Sequence, residues 1–72
     1  MTFHVRPLAE GAWMVVTASD GQAASTHVSK ADALAAAKHL ARTHRRGEVI
    51  VHGEDGAIET SYRHEEPARR VG

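Results

Sequence analysis

Apolar and polar positions divide this chain into short patterned stretches. Phe3-His4-Val5-Arg6-Pro7 alternates apolar with polar side chains and closes on a proline. Proline has no N–H to give to a sheet ladder, so this stretch predicts an edge strand or a strand terminus. After a turn at Glu10-Gly11, the aromatic and β-branched run Trp13-Met14-Val15-Val16-Thr17 predicts a second strand. Ser19-Asp20-Gly21-Gln22 carries the Asp-Gly signal of a hairpin, with glycine supplying the positive φ of the turn. Ala23 to Val28 is predicted to return as a third strand, weak in propensity and dependent on its partner.

The period then changes. Ser29 stands where its hydroxyl can cap a helix, and Asp32 three residues on suits the positive end of the helix dipole. Lys30 to Arg45 is dominated by helix formers, with Gly47 as the expected C-terminal cap. Ala33, Ala37, Leu40, Ala41 and His44 share one face, with Leu34 beside them, and such a small-residue stripe predicts close packing on whatever it covers. Glu48 to His52, with Val49-Ile50-Val51 as an unbroken apolar run, then predicts a short strand, Gly53-Glu54-Asp55-Gly56 a second Asp-Gly turn, and Ala57 to Tyr62 a returning strand.

The order β-β-β-α-β-β predicts an α+β fold: an antiparallel sheet of four to five strands with one helix packed on one face. We expect one domain over residues 1–63 and a flexible polar C-terminal tail over 64–72, where Glu65-Glu66-Pro67 and Arg69-Arg70 stand among few apolar residues.

Strand alternation has a consequence for assembly. If Trp13 and Val15 face the helix, Met14 and Val16 face the other way, and the same rule separates Ile50 from Val49 and Val51. The sheet then offers apolar side chains on both faces while one helix covers one. We therefore expect a homodimer through the open sheet face or an edge, with Met14, Val16 and Ile50 as the dimer face.

Composition sharpens this. Of 72 residues, 13 are alanine and only 13 are Leu, Ile, Val or Phe, so the 42% hydrophobic content overstates the core. That scarcity would suggest disorder in a highly charged chain, but the formal net charge here is zero. A thin core without a cysteine to staple it again favours association. No apolar run is long enough to span a membrane, and with no secretory leader pattern the expected location is the cytoplasm.

The ordered set His4-Val5-x-Pro7, Gly11-x-Trp13-x-Val15, a capped alanine-rich helix, and Val49-Ile50-Val51-His52-Gly53-x-Asp55-Gly56-x-Ile58 resembles the domain-of-unknown-function 2188 family of small bacterial proteins. The resemblance covers about residues 3 to 62. It implies a compact bacterial α+β domain and brings no activity, cofactor or catalytic residue.

Three kinds of chemistry remain. Six histidines raise the question of a metal site, but His39 and His44 are not on one helical ridge. His4 and His52 meet only if their strands are neighbours, and no third ligand suggests itself, so no metal and no cofactor are expected. Lys38, Arg42, Arg45 and Arg46 form a basic cluster without an acid over residues 38–46, a candidate contact for an anion or nucleic acid. The acidic stretch 48–66 and ordinary dipole compensation argue against it. Ser25, Thr26 and His27 alternate across a strand and do not form a relay, and the chain is short for an enclosed active site, so no enzyme is expected. The sequence reading is thus a non-enzymatic interaction module, homodimeric and open to a further protein partner. Weak nucleic-acid or anion binding is the alternative, and no membrane role is expected.

Overall fold

A computed structural model describes residues 1–44 and 46–65. Its elements are β1 (Thr2–Pro7), a 3-10 turn (Ala9–Gly11), β2 (Trp13–Thr17), β3 (Ala23–His27), α1 (Lys30–Arg42), β4 (Arg46–His52) and β5 (Ile58–Glu65). The five strands form one sheet in the order β3-β2-β1-β4-β5, and α1 packs on one of its faces. The fold class and element order are those expected from the sequence.

The sheet is mixed and not antiparallel throughout as the sequence suggests, because β1 and β4 run parallel while the other three pairs are antiparallel. Parallel neighbours need a crossover. Here the chain leaves β3 at one edge, passes over the sheet as α1, and returns as β4 beside β1. That route also corrects the reading of β1 as an edge strand: it is the central one. Pro7 is tolerated because it is the last residue of β1, beyond the end of the β4 register at Val5↔Val51.

Both Asp-Gly turns use the same device. Asp20 Oδ1 accepts from the Gln22 N–H at 3.0 Å and Asp55 Oδ1 from the Ala57 N–H at 3.0 Å, with Gly21 and Gly56 at φ of 69° and 87°.

Ser29 caps α1 as expected, its Oγ accepting from the Asp32 N–H at 3.1 Å. The helix ends earlier than the sequence suggested, at Arg42. Thr43 closes it, its hydroxyl donating to the Leu40 carbonyl at 2.6 Å while its N–H bonds the same oxygen at 3.1 Å. Gly47 is therefore not a cap. It lies in β4, where a Cβ would sit 2.7 Å from Ala41 Cα and Cβ and closer still to the Ala41 carbonyl oxygen. Glycine is needed there because helix backbone meets strand backbone.

The core follows from alternation in the strands and the alanine stripe of the helix. Phe3, Val5, Trp13, Val15, Val49 and Val51 point to α1 and meet Ala33, Ala37 and Ala41, with Leu34, Ala36 and Leu40 packed around them. The polar segment expected as a tail begins inside β5, which runs to Glu65, and residues 66–72 lie outside those described. No helix among the described residues is long and apolar enough to cross a membrane.

Candidate functional site

The sheet face away from α1 is built by the other half of each strand. In β1 this is Thr2, His4 and Arg6, in β2 Met14 and Val16, in β4 Glu48, Ile50 and His52. Register puts His4 opposite Val16 on one side and Ile50 on the other, so Val16, His4 and Ile50 form one row across three strands. Met14 flanks the row opposite Arg6, and Glu48 lies at the other end opposite Thr2. Val16 is only 9% exposed yet stands outside the helix-side core, while Met14 and Ile50 are half-buried. The three residues expected to form an apolar patch do lie together, with an imidazole in their midst.

That imidazole has a partner. Because β1 and β4 are neighbours, His4 Nδ1 lies 2.9 Å from His52 Nε2, with ring centroids 5.2 Å apart. His52 Nδ1 is 2.9 Å from the Gly56 carbonyl oxygen. A carbonyl can only accept, so His52 Nδ1 carries a proton and donates it. When both rings are neutral, His52 Nε2 is then an acceptor, His4 Nδ1 donates to it, and the lone pair of His4 is on Nε2. The chain of bonds thus assigns both tautomers. His52 is 6% exposed, the one buried polar side chain among the described residues, and this pairing satisfies it. Burial, foremost, then His52 and Arg6 hold the His4 pKa below its ordinary 6.5, with Glu48 acting the other way. At neutral pH the row is therefore uncharged.

No three His, Asp or Glu side chains among the described residues gather to hold a metal. The two facing nitrogens of His4 and His52 are engaged with each other.

The basic cluster divides. Lys38 and Arg42 line a groove of about 210 Å³ between α1 and β5, with Ala41 and Val49 below and Tyr62, Arg63 and His64 as its other wall. Lys38 Nζ stands 4.0 Å over the Tyr62 ring. Arg46 lines a neighbouring recess with Met1, Thr2, Gly47, Glu48, Arg63 and His64. Arg45 lies outside the described residues. The 48–66 stretch is expected to set its acids against the cluster, but what β5 brings to this groove is Tyr62, Arg63 and His64. Arg63 also approaches Glu48 at 3.9 Å.

A second contact was missed for a different reason. Ser25 and His27 are two apart in β3 and so share a face, and His27 Nε2 meets Ser25 Oγ at 2.8 Å. Alternation separates Thr26 from both neighbours and so leaves Ser25 and His27 on one side of the strand.

Comparison with known proteins adds the following. A family model described as an uncharacterized protein conserved in bacteria, DUF2188, matches residues 3–64. The chain belongs to this family. No curated protein and no solved structure matches it. The DUF2188 match takes in β1 from Phe3, all of β2, β3, α1 and β4, and β5 to His64, and so both histidines of the pair and the described lining of the groove.

Proposed function

We propose that this DUF2188 protein is a non-enzymatic interaction module that pairs with a second copy of itself through the open sheet face. The observation that carries the reading is the row Val16-His4-Ile50 with Met14 beside it, largely apolar, uncharged at neutral pH and on the face of the sheet away from α1. Charge placement supports a second copy as the occupant. With a two-fold axis running along the row, the rows of two copies stack, and Arg6 of each comes over the end of the face that holds Glu48 of the other. Arg6 makes no ion pair with the described residues of its own chain, and Glu48 has the exposed Arg63 at 3.9 Å, a long contact that a second copy's Arg6 can share. The thin core supports the same reading, since the side chains filling it beneath the helix stripe are six from the sheet. The setting we assign is the cytoplasm, where a small domain without disulfides is ordinary.

The test is the solution mass at tens of micromolar by light scattering. The expected value is twice the 7.8 kDa of one chain. Ile50→Glu, which sets a like charge in the stacked rows, is expected to return the mass to that of a folded monomer. A monomeric wild type overturns the reading.

A second reading, weak anion or nucleic-acid binding, is favoured by one observation: among the described residues no acid lines the groove that holds Lys38, Arg42, Arg63 and His64. It ranks behind because the groove adjoins the C-terminal, negative end of the α1 dipole, and the Tyr62 ring face is taken by Lys38. Retention on DNA or RNA at low salt that falls steeply with added salt, and is lost in Lys38→Ala/Arg42→Ala, would raise it above the first. No retention at low salt removes it.

A further inference from the structure

We infer that the His4–His52 pair makes this self-association depend on pH: the neutral pair permits two copies to stack, and a proton on His4 drives them apart. The inference rests on the pairing reading above and adds its control.

The geometry confines where a proton can go. The Gly56 carbonyl keeps a proton on His52 Nδ1, and the 2.9 Å link between His52 Nε2 and His4 Nδ1 has room for one proton only. The neutral pair therefore has one free basic site, His4 Nε2, on the side chain at the middle of the apolar row. Protonating it turns the centre of the stacking surface into an imidazolium while leaving the bond to His52 intact. Protonating both rings would set N–H against N–H and break that bond.

The row itself holds no carboxylate to offset the new charge. From its own strand Arg6 faces His4, and from β4 His52 and Glu48 do, while Val16 and Met14 on β2 carry no charge. Of the carboxylates nearby, Glu48 is already 3.9 Å from Arg63 of β5, and Glu54 and Asp55 of the second Asp-Gly turn share with Arg6 and His52 a recess that none of Val16, His4 and Ile50 lines. With the two-fold axis along the row, each His4 also faces the second copy's His4. Stacking would then bury two like charges against each other with no counterion in the row, a costly arrangement in a water-poor interface. Neutral, each ring brings an Nε2 lone pair to the stacked surface, a polar atom whose burial costs less than that of an imidazolium.

The experiment measures the dissociation constant of self-association by sedimentation at pH 8 and pH 5, with circular dichroism to verify folding. The proteins are wild type, His4→Gln and His4→Leu. The wild type is expected to pair at pH 8 and to weaken by about tenfold or more at pH 5, below the ceiling of about a hundredfold that lowering the proton affinity of both His4 rings by about one pH unit on stacking would set. Both variants are expected to pair about equally at the two pH values. A wild type that pairs equally at pH 8 and pH 5 overturns the control and leaves the pairing reading standing. A wild type monomeric at pH 8 overturns both. Variants that keep the wild-type pH dependence, or a wild type that unfolds at pH 5 together with His4→Gln, overturn the control as well.

Discussion

His4 and His52, forty-eight residues apart in sequence, are joined through ring nitrogens at 2.9 Å, and the Gly56 carbonyl beyond them sets which nitrogen of each carries a proton. A loop carbonyl, a buried ring and a half-buried ring thus form one line from the second Asp-Gly turn to the open face of the sheet.

Stability should depend on this line through His4. Its pKa is lowered in the folded protein, so the unfolded chain binds more protons, and stability is full above the ordinary value of 6.5. It declines as pH falls through 6.5 and on through the lower folded value. Urea midpoints measured from pH 8 to pH 5 are expected to fall in the wild type, with a smaller fall in His4→Gln. Equal slopes would show that His4 is not the group responsible.

His52→Ala removes the buried ring and leaves the Gly56 carbonyl and His4 Nδ1 without their partner. A loss of about 1–3 kcal/mol is expected from urea unfolding, the usual cost of orphaned buried polar groups. A loss within error would mean that water replaces the ring without penalty.

Gly47→Ala tests the contact between α1 and β4. The added Cβ would lie 2.7 Å from Ala41 Cα and Cβ, against backbone that has little room to yield. A loss of about 1–3 kcal/mol or more is expected. An unchanged denaturation midpoint would show that the helix can lift from the strand freely.

Ser29→Ala removes the hydroxyl that accepts from the Asp32 N–H and should cost about 1 kcal/mol, with a matching drop in the thermal midpoint. Ser29→Asp is expected to restore it, because a carboxylate caps the same N–H and suits the dipole.

What was legible in the sequence was local. Ser29 as a cap, the positive φ at Gly21 and Gly56, and the opposite facings of Val15 and Val16 depend on a few neighbouring residues and a fixed period. What was not legible depended on which strand lies beside which. Phe3-His4-Val5-Arg6-Pro7 reads as an edge because proline interrupts a ladder, yet β1 is central, since α1 carries the chain across the sheet to set β4 beside it. The same crossover decides that His4 meets His52 and that Tyr62, Arg63 and His64 flank Lys38 and Arg42. Gly47 was misread because its small size is demanded by a tertiary contact with Ala41 and not by a turn.

The stacking of two copies through Val16, His4 and Ile50 is tested most directly by isotope-filtered NMR on a mixed sample of labelled and unlabelled chains at pH 8. Intermolecular NOEs are expected from the Val16 and Ile50 methyl groups to the same row of the other copy, with the Met14 methyl at their margin. A sample that shows a monomer mass, or a dimer whose intermolecular NOEs fall on β5 or α1 and leave Val16 and Ile50 silent, would contradict the account.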